Sequence, residues 1–143
     1  MRRAGLTLVA MLTVMVAPAL AGSAELKAGA GGHFQTTAYI DGAPLNIMID
    51  TGATTVALSY EDAGKAGIRL NDRDFTRQVT TANGTTKAAT VELRRIQLDG
   101  VRVYDVEAIV MPQGAMTGSV LGMSFLSKLR SFKIEDGVLY LRD

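Results

Sequence analysis

Residues 45–58 read Leu45-Asn46-Ile47-Met48-Ile49-Asp50-Thr51-Gly52-Ala53-Thr54-Thr55-Val56-Ala57-Leu58. An apolar run ends in a carboxylate, Asp50, and a hydroxyl residue and a glycine follow at once. Gly52 permits a sharp turn that brings a backbone amide towards the carboxylate, and a second apolar run begins at Val56. The segment therefore predicts two strands joined by a tight loop that holds Asp50 rigidly and partly buried.

The chemistry open to Asp50 depends on a second carboxylate. A lone buried carboxylate simply takes up a proton. Two carboxylates a few ångströms apart cannot both ionise, so such a pair shares one proton. One member can then activate a water molecule as general base, while the other donates a proton to the carbonyl oxygen of the bond being cut.

One chain supplies only one carboxylate of this kind. The sequence has no second Asp-Thr-Gly and no Asp-Ser-Gly. Its other Asp-Gly pairs begin at Asp41, Asp99 and Asp136, in predicted turns where the carboxylate serves backbone geometry. A symmetric homodimer supplies the missing partner, because a two-fold axis between two copies of Asp50 makes the site self-complementary. We therefore expect a homodimer.

The rest of the chain predicts a mainly β domain. Short segments that read as strands are separated by turn signals at Asp41-Gly42, Asn83-Gly84, Asp99-Gly100 and Asp136-Gly137. Such closely spaced hairpins indicate a small barrel or sandwich.

Two short helices interrupt the strands. Residues 59–62 fit a capping box, with the Ser59 hydroxyl on a backbone amide and Asp62 reaching back to residue 59. The second helix is predicted after Gly122, where apolar residues repeat at helical spacing. In the long strand that ends at Leu98 the apolar phase slips, which predicts a bulge near Arg94-Arg95.

The ordered motifs resemble those of clan AA aspartic peptidases, and among them the bacterial retropepsin-like family. The resemblance covers nearly all of the chain after Gly32 and implies a retropepsin-like (acid protease) closed β-barrel lobe with two short helices. By itself Asp-Thr-Gly is a weak signal, and its specificity comes from its setting between apolar strands. The motifs are Asp50-Thr51-Gly52-Ala53, Thr55-Val56-Ala57-Leu58, Thr81-Ala82-Asn83-Gly84 and Val120-Leu121-Gly122-Met123-Ser124-Phe125-Leu126.

The resemblance implies roles around Asp50, the expected catalytic residue. Thr51, Gly52 and Ala53 would support the active-site loop, with Thr51 hydrogen bonding across the dimer axis. The implied activity is that of an aspartic endopeptidase that needs no metal and no cofactor and cuts a peptide or protein substrate.

Two further elements receive roles from the resemblance. Ala82, Asn83 and Gly84 would form the tip of a flap that closes over substrate. Leu121 and Gly122 would pack behind the catalytic loop, with Gly122 allowing close approach. Each element has a plainer interpretation, because Asn-Gly is first of all a hairpin turn and Leu121-Gly122 is first of all a strand-to-helix junction.

Composition excludes most other function classes. The net charge of +1 and the even scatter of charged residues give no basic face, so we expect no nucleic-acid partner. With no Cys and a single His, His33, the chain lacks a thiol nucleophile and a Cys-based zinc site. The alternative to a peptidase is a binding or scaffold domain outside the cytoplasm that keeps the fold and has little or no turnover.

The amino terminus predicts export. Arg2 and Arg3 precede an apolar run, and Ala19-Leu20-Ala21 is a small-residue cleavage site. We expect a signal peptide over residues 1–21, a linker over 22–32 and the peptidase domain over 33–143. The alternative is an uncleaved anchor, in which case the membrane becomes a partner. Either interpretation puts the domain in the periplasm or outside the cell.

Overall fold

The computed structural model describes residues 22–143, so the predicted signal peptide lies outside the described residues. Within this range the chain forms ten strands, two short α-helices and two single-turn 3-10 helices at Ala30–Gly32 and Asp72–Asp74, which agrees with the predicted mainly β class. The strands and α-helices are numbered below. In chain order they are β1 Ser23–Lys27, β2 Phe34–Ile40, β3 Ala43–Ile49, β4 Val56–Leu58, α1 Tyr60–Lys65, β5 Phe75–Thr81, β6 Gly84–Leu98, β7 Val101–Val110, β8 Ser119–Leu121, α2 Met123–Leu126, β9 Ser131–Glu135 and β10 Val138–Arg142.

Seven strands form one sheet in the order β2-β3-β8-β4-β7-β6-β5. A further pairing of β2 with β6, at Tyr39 with Gln97 and Ile40 with Ile96, joins the sheet into a ring and leaves β5 outside it. β3 pairs with β8 and β4 pairs with β7 in parallel, whereas the hairpin neighbours are antiparallel. The ring surrounds one apolar core, in which Phe125 and Leu126 of α2 are fully buried.

A second sheet of three strands, in the order β1-β10-β9, packs on the same core. It corrects the linker predicted over residues 22–32, because Ser23–Lys27 is a strand paired with β10 along its whole length. Ala24 and Leu26 alternate inward with exposed neighbours, and a short alternating strand of this kind is easily overlooked beside a Gly-rich stretch. The folded unit therefore begins before residue 33.

Three of the four predicted hairpin turns form as expected, with positive φ at Asp41, Asp99 and Asp136. The fourth is shifted by one residue: Ala82 and Asn83 connect the strands, and Gly84 pairs with Thr81 as the first residue of β6. The Thr81 hydroxyl accepts from the Asn83 amide at 3.2 Å and donates to the Gly84 carbonyl at 2.9 Å. This local side-chain bonding competes with the Asn-Gly turn preference.

The phase slip in β6 has a different cause from the predicted bulge. Pairing of β6 with β7 keeps one register from Ala89 opposite Val110 to Leu98 opposite Val101, so no extra residue is inserted. The irregularity lies where Arg94 faces Asp105, whose φ is +56°. Both strands change their buried face together at this point, so the register is preserved.

Helix α1 begins at the predicted cap, Ser59, but the predicted return bond from Asp62 to residue 59 does not form. The Ser59 hydroxyl accepts from the Asp62 amide at 3.1 Å. The carboxylate of Asp62 does not reach back to residue 59, because Ser119 of β8 stands between them: its hydroxyl accepts from the Ser59 amide at 3.1 Å and donates to Asp62 Oδ2 at 2.7 Å. All three side chains are buried, so this chain of bonds fixes α1 against β8.

Candidate active site

Asp50 lies directly after β3, in the loop that leads to β4. Its amide donates to the Leu121 carbonyl at 3.0 Å, and its carboxylate oxygen Oδ1 accepts from the Gly52 amide at 2.8 Å. The Ala53 amide donates to the Asp50 carbonyl at 3.2 Å and closes the turn. Asp50 is half-buried, whereas Thr51 and Gly52 are exposed at the tip of the loop. The loop therefore holds one carboxylate in place by backbone bonds alone.

The start of α2 packs directly behind this loop. The Met123 amide donates to the Ala53 carbonyl at 2.7 Å, and the Ser124 amide donates to the Thr54 carbonyl at 3.0 Å. Gly122 makes this approach possible, because a Cβ there would lie 2.6 Å from the Ala53 oxygen and 2.7 Å from the Thr55 oxygen. Residues 121 and 122, about 70 positions away in sequence, thus form the wall on which the Asp50 loop rests.

Ser124 is a supporting residue whose role the sequence does not predict. Its hydroxyl accepts from the Val56 amide at 2.8 Å and donates to the Glu107 carbonyl at 2.7 Å. It therefore joins the first residue of β4 to β7 behind the loop. The motif around Gly122 contains this serine, but only the folded chain brings Val56 and Glu107 to it.

An open groove of about 730 Å³ runs from Asp50 to the β5–β6 hairpin. One side is formed by β5, from Arg77 to Thr81, and by Ala82 in the turn. The opposite side carries apolar residues of the ring, including Ile109 and Val120. Val120 also borders a second groove of about 490 Å³ that residues of β2, β3 and β8 line.

The structure brings together some of the predicted site residues and separates others. Asp50, Ala53 and Ala82 line the same groove. Asn83 and Gly84 are exposed at the end of the hairpin and do not line it. Leu121 and Gly122 are buried behind the loop.

Charge in the groove is sparse. Among residues 22–143 its lining contains two charged side chains, Asp50 and Arg77, so the second acid needed for a carboxylate pair is not among the groove residues of this protomer. Arg77 Nη1 lies 2.8 Å from Glu107 Oε1. In the same part of the chain no cluster of three His, Cys, Asp or Glu side chains could hold a metal ion.

The fold is that of a retropepsin-like aspartic protease. The crystal structure of a retropepsin-like aspartic protease from Rickettsia conorii matches with a TM-score of 0.76 and 32% identity, over 86% of this chain and 92% of that chain. The fold also matches EIAV protease complexed with the inhibitor HBY-793, with a TM-score of 0.56 and 19% identity over 69% of this chain and 89% of that chain.

Sequence comparison gives the same assignment. Residues 36–128 match the model of the gag-polyprotein putative aspartyl protease family. The chain belongs to this family, and the predicted resemblance to retropepsin-like clan AA proteins is confirmed.

Two curated relatives have no assigned activity. An uncharacterized protein from the 5′ region of cobV in Sinorhizobium sp is 42% identical over 78% of this chain and 48% of its own length. An uncharacterized protein of Rickettsia prowazekii (strain Madrid E) is 37% identical over 77% of this chain and 47% of its own length. The chain therefore spans about half the length of the curated relatives it matches.

The described part of the chain contains short helices only. Between residues 22 and 143 none is long and apolar enough to cross a bilayer.

Proposed function

We propose that this protein is an aspartic endopeptidase whose active site forms between two copies of the chain. The observation that carries the proposal is the placement of Asp50: its carboxylate is fixed by the Gly52 amide and lines a groove that β5 borders. A fixed carboxylate beside an open groove is the half-site that a two-fold axis would complete.

The reaction follows from two copies of Asp50 sharing one proton. The ionised member takes a proton from a water molecule as its oxygen attacks the carbonyl carbon of the peptide. The protonated member gives its proton to the carbonyl oxygen, which forms a tetrahedral diol. When the C–N bond breaks, the carboxyl that took the proton from water gives it to the leaving nitrogen, and the other carboxylate takes a proton from one hydroxyl of the diol. The products are a carboxylic acid and an amine, and the pair again holds one proton. Thr51 would brace the two loops against each other, and its exposure at the tip of the loop supports this role.

The free edge of β5 in the β5–β6 hairpin suits the binding of a peptide substrate in an extended conformation. β5 lies outside the ring and pairs on one side only, with β6. The backbone groups on its other edge can bond to an extended peptide, as an added strand bonds to a sheet edge. The groove walls would then select among the substrate side chains that lie against them.

Activity should depend on protein concentration. If two protomers share the site, specific activity will rise as the protein passes from monomer to dimer. We expect cleavage of a peptide library to follow the dimer fraction measured by analytical ultracentrifugation at the same concentrations. Full activity from a species that sediments as a monomer would overturn the shared site. Absence of cleavage from a fully dimeric sample would instead favour a scaffold domain.

We also propose that the domain functions in the periplasm or outside the cell. Support comes from Arg2 and Arg3, the apolar run after them and the Ala19-Leu20-Ala21 site. Fractionation of cells that produce the full chain with a tag at its carboxyl end, followed by amino-terminal sequencing, should find the protein outside the cytoplasm and starting at Gly22. Recovery from the membrane with Met1 retained would indicate the anchor, and recovery from the cytoplasm would contradict the proposal.

A further inference from the structure

Arg77 is the one positive charge among the described residues that line the Asp50 groove. It lies on β5, the strand that borders the groove, and its side chain is 41% exposed. A guanidinium has five N–H donors in a fixed planar fork that suits carboxylates. Within residues 22–143 its side chain makes one hydrogen bond, from Nη1 to Glu107. Donors remain for a further carboxylate.

Arg77 points towards Glu107, with which it forms an exposed ion pair. Glu107 belongs to β7, two residues before Ile109, which lines the groove. Because alternate residues of a strand share a face, Glu107 projects from the same side of the ring as Ile109. β5 and β7 are not neighbours in the sheet, since β6 lies between them. The ion pair therefore draws the Arg77 side chain from β5 towards the side of the groove that β7 forms.

We infer that Arg77 is a specificity-determining residue that favours peptides with an Asp or Glu side chain in this part of the groove. The inference rests on the proposed endopeptidase function and adds a substrate class to it. An acidic substrate side chain would otherwise meet the negative charge of the shared carboxylates, and Arg77 offsets that repulsion. In a symmetric dimer each half of the site carries one Arg77, so the preference should occur at matching positions on both sides of the cut.

Glu107 acts against this preference while it holds Arg77 in place. Its carboxylate neutralises part of the guanidinium charge and competes for the same donors. Replacing Glu107 by Gln removes the competing charge and keeps a hydrogen-bond acceptor. Glu107→Gln should therefore strengthen the preference for acidic peptides and Arg77→Met should weaken it, whereas general damage to the fold would not move selectivity in opposite directions.

The test compares peptides that differ only by Glu or Gln at one position, scanned on both sides of the cut. In the unmodified protein the ratio of kcat/KM, Glu over Gln, should reach about fivefold at the sensitive positions, as for an exposed ion pair. Arg77→Met should bring the ratio to about one, Arg77→Lys should leave part of it, and Glu107→Gln should increase it. Lys87→Met is the matched control, because Lys87 lies on the same hairpin and does not line the groove.

Binding separates this inference from the proposed function. The same peptide pairs are measured by fluorescence anisotropy on the Asp50→Asn protein, which needs no catalysis. A Glu preference that Arg77→Met removes supports the inference even if no cleavage is found, in which case only the peptidase proposal falls. Equal binding and equal cleavage of Glu and Gln peptides would overturn the inference. Equal losses of affinity or kcat/KM for both peptides in Arg77→Met would also overturn it, because they would mean that Arg77 only supports the structure.

Discussion

Asp50→Asn should lower kcat/KM for peptide cleavage by about a thousandfold, the middle of the range that positioned acid and base groups contribute. Asn cannot act as the base or supply the carboxylic acid proton, and in a homodimer the change removes both carboxylates at once. The fold should be unchanged, because the Asn side-chain oxygen can still accept from the Gly52 amide at the 2.8 Å seen for Asp50. Peptide cleavage and thermal unfolding are measured on the same preparation.

Asp136→Asn is the matched control for this variant. Asp136 is exposed in the β9–β10 turn with φ of +51°, a conformation that Asn tolerates, so cleavage should match the unmodified protein. Mixing provides a second check. If both carboxylates are required, an equal mixture of Asp50→Asn and unmodified protein should retain about a quarter of the activity after subunit exchange, since random pairing leaves about a quarter of dimers intact. Retention of half the activity would mean that each protomer works alone.

Gly122→Ala should lower both the stability of the protein and its peptide-cleaving activity. The added Cβ would lie 2.6 Å from the Ala53 oxygen and 2.7 Å from the Thr55 oxygen, and both are backbone atoms that cannot move aside independently. Overpacking of this kind costs about 1–3 kcal/mol. In a domain of this size we expect a Tm lower by roughly 5–10 °C, measured by calorimetry. Activity should fall further than stability explains, because the atoms that must move belong to the loop that carries Asp50.

Gly64→Ala tests whether the effect is local to Gly122. Gly64 lies in α1 without a positive φ, and a methyl group added there would meet no neighbouring side chain or strand within 4 Å. Alanine is the better helix former, so this variant should gain about 0.5–1 kcal/mol and keep its activity. Similar losses in both variants would show that the domain tolerates no added methyl group, and the close packing behind Asp50 would not be the cause.

Much of this architecture follows from local pattern. Asp50 at a strand end, the hairpins at Asp41 and Asp136, and the helix that begins after Ser59 all depend on residues close together in sequence, where turn and capping preferences act. The strand Ser23–Lys27 is not predicted, because its partner, β10, lies more than a hundred residues away. A short strand gains its stability from that partner and from the core that Ala24 and Leu26 enter, and neither is visible locally.

The hydrogen bonds that support the site could not be predicted either, because their partners are also far apart in sequence. Ser119, Ser124 and Glu107 are polar residues that look ordinary in sequence, and their roles arise from partners that the ring brings to them. The turn at residues 82–84 differs from its prediction for another reason. There the Thr81 hydroxyl bonds to the Asn83 amide and the Gly84 carbonyl, and this local bonding competes with the turn preference of Asn-Gly. Long-range topology and side-chain competition thus account for the differences between expectation and structure.

Because β5 lies outside the ring, we expect it to separate from its neighbour more easily than any strand of the ring does. Each strand of the ring has partners on both edges, so separating one strand disrupts the closed sheet. β5 can part from β6 at the cost of one set of ladder bonds and little apolar burial, because five of its seven residues are exposed. We therefore expect separation of β5 from β6 to be a local, low-energy opening that does not require the ring to unfold. If the proposed function is right, such an opening would let a peptide reach Asp50 without loosening the scaffold that keeps this carboxylate in place.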